Sequence, residues 1–173
     1  MTSFSVFPPI KWVGFDVDGV MTDGGIILDD NGGQQKRFHS RDGHALKMLI
    51  KSGIAVSIIT GRKSDVVALR AKETGILDVH QGITNKGLVY QKILADLSLS
   101  PEETAFAGDD IVDLPIMTRC ALPMAPKDAS MEALKVAKFI SDSPAGYGAV
   151  REMVKYILTG LGHWDKMVAG YSL

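Results

Sequence analysis

Short apolar runs and helical-period segments alternate along almost the whole chain. Lys11–Val17 (KWVGFDV) is rich in apolar and aromatic residues and breaks at Gly19, the pattern of a buried strand. Ile54–Ile59 is an almost continuous apolar run with a polar tip, Thr60-Gly61-Arg62, which predicts a second buried parallel strand. Taken alone, that tip reads as a strand-to-helix turn with Thr60 as helix cap. Further strands are expected near Leu77–His80, in TAFA before Gly108, near Ala121–Ala125 and near Lys138–Ser141. Helical segments fill the intervals. One opens with Ser40 and Asp42 as candidate caps, places Ala45, Leu46, Leu49 and Ile50 on one face, and stops at Gly53. A second, over 63–74, has Val66, Val67, Leu69 and Arg70 in register. A third carries Leu88, Val89, Ile93, Leu94 and Leu97 inward, with Lys86 in its first turn. The last two span about 129–137 and start near Gly148.

Strand and helix in regular succession predict an α/β fold, a Rossmann-like parallel sheet with helices on both faces. The stretch GGIILDDNGGQQKRF interrupts this rhythm directly after the first strand: two β-prone runs around a DNGG turn predict a β-hairpin over about 25–39. It is too short for a lid domain, so it either flanks the strand tips, makes a subunit contact or is a surface excursion. At 173 residues, with no linker, repeat or low-complexity run, the chain reads as one domain.

Composition narrows the partners. Hydrophobic residues make up 46% and charged residues 23%, and the net charge is -1, so nothing points to a nucleic-acid or membrane partner. The single cysteine, Cys120, excludes an internal disulfide and fits a reducing, cytoplasmic setting. The start, MTSFSVFPPIKW, lacks the basic opening and long apolar run of a signal peptide.

The chemistry gathers at the expected strand tips, which is where open α/β sheets carry their sites. Asp16 and Asp18 end the first strand; two such carboxylates repel unless a cation or shared proton separates them, or they simply face water before a Gly turn. Lys86 sits at a helix start, where the dipole disfavours a cation, so it points to solvent or has an anionic partner. Asp109, Asp110 and Asp113 follow a later apolar strand; they suit a metal-binding edge, although acids also favour a helix N-terminus on their own. Arg41, His44 and Lys47 lie near one helix start, and Arg62 and Arg70 stand about two turns apart, each either a site cation or a solvated side chain.

Four polar tips in this order resemble the haloacid dehalogenase-like phosphohydrolases over nearly the whole chain. More closely, FDVDGVMTDG, the hairpin, RDGHALKML, the TGR tip, GDD and GAVREMVKYIL resemble the 3-deoxy-D-manno-octulosonate 8-phosphate phosphatase family. Phosphatases of nine-carbon sugar acids and a non-catalytic Mg²⁺- and sugar-phosphate-binding oligomerisation module share much of that pattern. The resemblance implies Asp16 as nucleophile, Asp18 as acid/base, and Thr60 and Lys86 as holders of the phosphoryl oxygens. It implies Mg²⁺ bound by Asp16, the Asp18 carbonyl and Asp109, with Asp110 and Asp113 supporting. It further implies that Asp18, Lys86, the loop His39, Ser40, Arg41, Asp42 and Gly43, and Lys47, Arg62 and Arg70 approach a sugar-acid phosphate. Arg rather than Glu at position 62 points to the eight-carbon acid, while His39 and Ser40 depart from the usual loop residues. A homotetramer without a cap domain is implied as well, its sites closed by a neighbour's flexible tail, here about 163–173.

Overall fold

The apolar runs become the strands of one parallel sheet. The structure, a computed structural model, describes residues 7–171. In chain order its elements are β1 (Trp12–Phe15), the hairpin strands β2 (Ile27–Leu28) and β3 (Gln34–Gln35), α1 (Ser40–Lys51), β4 (Ala55–Thr60), α2 (Asp65–Thr74) and β5 (Asp78–Gln81). There follow α3 (Lys86–Leu97), β6 (Thr104–Ala107), α4 (Leu114–Met117), β7 (Leu122–Ala125), α5 (Met131–Val136), β8 (Phe139–Ile140), α6 (Ala149–Gly160) and α7 (Trp164–Ala169). Six strands pair in parallel in the order β5-β4-β1-β6-β7-β8, and β2 and β3 form a separate antiparallel pair. The expected α/β architecture and inserted hairpin are both present.

Alternation along each strand divides the core in two. Val13, Phe15, Val56, Ile58, Ala105 and Ala107 join the cluster under α1, α2 and α6. Trp12, Ile59 and Phe106, their immediate neighbours in sequence, join the cluster that takes Tyr90 and Ile93 of α3, Ile116 and Met117 of α4, and Ala133 of α5. Helices therefore cover both faces, so both sides of β1 are apolar. The chain leaves β1 for β4 on one flank and reaches β6 on the other. This reversal opens a crevice at the carboxyl ends of the central strands, which is where Asp16, Thr60 and Asp109 arrive.

Several local expectations change. α1 is capped at His39 without a side-chain hydrogen bond, so neither Ser40 nor Asp42 is its cap. α2 begins at Asp65 behind Ser64, which leaves Thr60 inside β4 and removes it as a cap. Leu88 and Leu97 are 63% and 45% exposed, and Leu69 is exposed as well. Of the expected inward face of α3, Ile93 is buried and Val89 and Leu94 pack against the core, and Lys86 and Tyr90 join them there. The tail is not featureless: Trp164 and Met167 of α7 pack against the core, and Arg151 lies over the Trp164 ring at 5.3 Å. The apolar Trp164 face accounts for that docking. Residues 1–6, where no signal sequence was expected, and the tail residues Ser172 and Leu173 lie outside the described residues. Among the described residues no helix is long and apolar enough to cross a membrane.

One buried polar chain crosses the sheet on its α3 side: the Trp12 indole N–H donates to Ser57 Oγ at 2.7 Å, and Ser57 donates to Asp78 Oδ2 at 2.5 Å. Trp12 is fully buried, so its N–H has no access to water. Replacing Ser57 by Ala should cost about 1–3 kcal/mol, the usual penalty for a buried donor left unpaired. Urea unfolding would register this as a lower midpoint; an unchanged midpoint would contradict the pairing.

Candidate active site

β1 ends at Phe15, level with Ile58 of β4 and Ala107 of β6, so the next residues emerge together at the sheet edge. The Asp16 N–H donates to the Ala107 carbonyl at 2.9 Å, extending the ladder by one bond and holding Asp16 beside the β6 tip. Asp109 arrives from β6 through Gly108. A Cβ on Gly108 would lie 2.5 Å from Asp113 Cβ, so only glycine lets the Asp113 side chain fold back against the strand. Gly19 has φ +84° and approaches Asp109 so closely that a Cβ there would sit 2.1 Å from Oδ2. The DG and GDD signals are thus steric conditions for bringing two strand ends together.

Lys86 joins these pieces. Its side chain is 2% exposed, with Nζ 2.9 Å from Asp16 Oδ1 and 2.6 Å from Asp113 Oδ1. Burial alone would depress this ammonium, but the charges and hydrogen bonds of the two carboxylates together outweigh it and raise its pKa. Asp113 is fully buried; its second oxygen accepts the Asp109 N–H at 2.9 Å and the Asp110 N–H at 3.3 Å. Both Asp113 oxygens are therefore committed to protein donors, and Asp113 orders the cluster. Asp110 is exposed and caps the short turn behind it, accepting the Ile111 N–H at 2.8 Å.

Asp16, Asp109 and Asp113 each offer an oxygen within 4.8 Å of the others. One ammonium does not neutralise three such acids. Burial, then the charge of Asp113, pushes the Asp16 carboxyl up to about 6 despite Lys86. Burial, then the charges of Asp113 and Asp16, pushes Asp109 up to about 8. An all-oxygen donor set short of positive charge fits a hard divalent cation.

Asp18 stands beside this cluster with cations around it. Lys36, the residue after β3, is ion-paired with its Oδ1, and Arg62 Nε is 4.0 Å from its Oδ2. Thr60 is buried at the β4 tip. The remaining expected substrate residues divide into groups. The Arg70 guanidinium donates to the His39 carbonyl at 3.0 Å and lies 5.4 Å from the centre of the Phe38 ring, tying α2 to the loop before α1. Asp42 is buried and accepts the Arg151 N–H at 2.9 Å, linking α1 to α6; Gly43 is buried in the same turn. Ser40 and Arg41 border a hollow of about 450 Å³ with His44 and Arg151. Lys47 is exposed and lines a different hollow, with Lys72 and Glu73 at the far end of α2. The structure therefore brings Asp16, Asp18, Thr60, Lys86, Asp109, Asp113 and Arg62 to one edge, and joins His39 and Gly43 to Arg70. It does not bring Lys47 to the acids. Lys36 is the residue the motifs do not single out; the signal for it is the alternation of Lys36 with apolar Phe38 on one side of the hairpin's return arm.

Comparison with known proteins gives the family. A family model described as haloacid dehalogenase-like hydrolase matches residues 63–153. The 3-deoxy-D-manno-octulosonate 8-phosphate phosphatase of Salmonella typhi is 37% identical over 157 residues, covering 91% of this chain and 84% of that protein. The chain belongs to that phosphatase family, within the haloacid dehalogenase-like hydrolases. Two solved structures are similar throughout. A Pseudomonas syringae pv. phaseolica protein described as a probable yrbi family phosphatase has a TM-score of 0.93 at 40% identity, covering 95% of this chain and 93% of that one. The Moraxella catarrhalis 3-deoxy-D-manno-octulosonate 8-phosphate phosphatase, solved with magnesium, phosphate and KDO, has a TM-score of 0.93 at 33% identity, covering 95% of each chain.

The crowded acids make a prediction for the metal-free protein. A carboxyl whose folded pKa is raised contributes stability that is complete below its unfolded value and is lost as pH rises through the folded one. With the ordinary value at 3.8 and the folded values near 6 and 8, stability in EDTA should fall between about pH 4 and pH 8. Asp109→Asn should flatten that fall, and Mg²⁺ should raise the wild-type unfolding temperature at pH 8 but not that of the variant. Thermal unfolding across pH tests this; a wild-type profile independent of pH would contradict it.

Proposed function

We propose that this protein is a Mg²⁺-dependent phosphatase that hydrolyses 3-deoxy-D-manno-octulosonate 8-phosphate to the free sugar acid and phosphate. The observation that carries the reading is the convergence of Asp16, Lys86 and Asp109 at the carboxyl edge of the sheet, with Asp18 beside them. Asp16 is the nucleophile, buried and with one oxygen turned to Lys86, which fixes its orientation. Lys86 and Thr60 hold the transferring phosphoryl oxygens, so Lys86 exchanges part of its carboxylate contact for phosphate. Asp18 protonates the leaving sugar oxygen in the first step and takes a proton from the attacking water in the second. Asp16 and Asp109, with the Asp18 carbonyl, are the cation's ligands, while Asp110 and Asp113 support them. When bound, Mg²⁺ screens the approach of one anion to another and supplies positive charge to the phosphate.

Substrate choice rests on the remaining cations. Arg62, partly exposed beside Asp18, is placed for a group remote from the phosphate. The Arg70–His39 contact shapes the loop 39–43, whose members Ser40 and Arg41 contribute to sugar-acid binding, with Lys47 as a more distant contributor. The exposed Ile26, Ile27 and Leu28 of the hairpin support a subunit contact in a homotetramer. The lone cysteine, Cys120, is buried and unpaired with another thiol, which accords with a cytoplasmic enzyme. In this reading a neighbour's tail closes the site.

Phosphate release from a panel of sugar-acid phosphates, with Mg²⁺ or with EDTA, tests the proposal. The eight-carbon acid phosphate should be the fastest substrate, EDTA should abolish turnover, and Asp16→Asn should reduce it to background. Wild-type rates in EDTA or in that variant would overturn it. Arg62→Ala should lower kcat/KM for the sugar-acid phosphate at least about tenfold more than for p-nitrophenyl phosphate, the loss of one charge-assisted contact of roughly 1.5–3 kcal/mol. Equal losses on both would place Arg62 outside substrate recognition.

A further inference from the structure

The hairpin's return arm has a construction that the proposed roles leave unexplained. Along it, Gln34, Lys36 and Phe38 turn inward while Gln35 and Arg37 are exposed, the period-two pattern of an extended chain. Phe38 packs against the core and lies beneath Arg70. Arg37, on the opposite side, is paired with Asp23 and with the Tyr147 hydroxyl, clamping the arm to the segment that follows β1. Lys36, directly before these two anchors, is thereby delivered to Asp18. Its side chain is only 4% exposed, although most lysine side chains on a short hairpin stay in water. Taking an ammonium out of water is costly unless a carboxylate meets it, and here Asp18 Oδ1 does.

The two oxygens of Asp18 are left in different states. Oδ1 accepts from Lys36 and, at 3.5 Å, from the Thr22 hydroxyl. Oδ2 has no hydrogen-bond partner among the described residues, and Arg62 at 4.0 Å is beyond hydrogen-bond range. A carboxylate pinned at one oxygen has lost its freedom to rotate, and its other oxygen, buried without a donor, is the one left for a reacting group.

We infer that Lys36 is a positioning residue: its ammonium pins Asp18 Oδ1, so that Oδ2 is the oxygen that gives up and takes back the proton. This rests on the phosphatase reading above. In the first step an Asp16 oxygen bonds to phosphorus, the bond from phosphorus to the ester oxygen breaks with its electron pair left on oxygen, and that oxygen takes the proton from Oδ2. In the second step water adds to phosphorus and gives its proton to Oδ2, while the Asp16–phosphorus bond breaks and the carboxylate is restored. Ester and water become alcohol and phosphate, and both carboxyl groups return to their starting forms. The hairpin therefore reaches the chemistry within its own chain, through one side chain.

Two aryl esters separate positioning from substrate contact, because neither carries the hydroxyls or carboxylate of a sugar acid. 4-Nitrophenolate leaves without a proton, whereas phenolate from phenyl phosphate needs one more urgently. Measured as kcat/KM in saturating Mg²⁺, Lys36→Met should lose about tenfold or more activity on phenyl phosphate beyond its loss on 4-nitrophenyl phosphate, a fraction of what general acid catalysis supplies. The ratio is independent of how much of the variant is folded. On an Asp18→Asn background the same change should add no further discrimination. Equal losses on both esters, or a further effect without Asp18, would overturn the role of Lys36 and leave the phosphatase reading standing. Wild-type protein inactive on these esters and on the sugar-acid phosphate would overturn the phosphatase reading, and this role with it.

Discussion

Two carboxylates are held on one buried ammonium with a third close by, and the rest of the molecule is arranged to make that tolerable. Lys86 draws Asp16 from β1 and Asp113 from beyond β6 onto a single nitrogen. Asp113 in turn fixes the backbone that carries Asp109 and Asp110. Removing Lys86 would leave both of these carboxylates without their partner, a penalty of several kcal/mol in comparable networks. The acids still outnumber the ammonium, and burial first, then the charges of the neighbouring acids, raises the pKa values of Asp16 and Asp109. That excess is a standing preference for a divalent cation and for the phosphate that accompanies it.

The sheet supplies the rigidity that such a cluster requires. β1 is buried on both faces and pairs in parallel with β4 and β6, so the strand ends are set from both sides. α3 shows how strongly the site governs its surroundings. Two of its leucines, Leu88 and Leu97, remain exposed while Lys86 turns inward beside Tyr90 and Ile93. Tyr90 shares a hydrogen bond with Thr104 at 2.6 Å, so even this inward stripe is partly polar. Propensity and amphipathicity yield to the requirement that one lysine meet two acids.

The features legible in the sequence are those whose signal is local. Apolar runs of four to six residues ending at Gly or Asp mark the strands and their tips, and these place Asp16, Thr60 and Asp109 correctly. The partner of Lys86 was not legible, because 27 residues separate it from Asp113 and only the closed sheet brings them together. The same holds for Asp42, whose contact with Arg151 spans 109 residues, and for Lys36, whose neighbour Asp18 lies across the hairpin. On α3 a hydrophobic reading found Ile93, Val89 and Leu94 but not Lys86, because a lysine carries no apolar signal. The tail escaped because Trp164 finds its partners on α6 rather than in its own segment.

The central claim is that Asp16 attacks phosphorus and carries the phosphoryl group between the two steps. Rapid mixing with substrate and Mg²⁺, acid quenching within the first turnover and peptide mass mapping test it directly. The account predicts a phosphoryl group on Asp16 that appears and decays with the rate of phosphate release and is absent from Asp16→Asn. Phosphate released at the full rate with the label on another residue would contradict it.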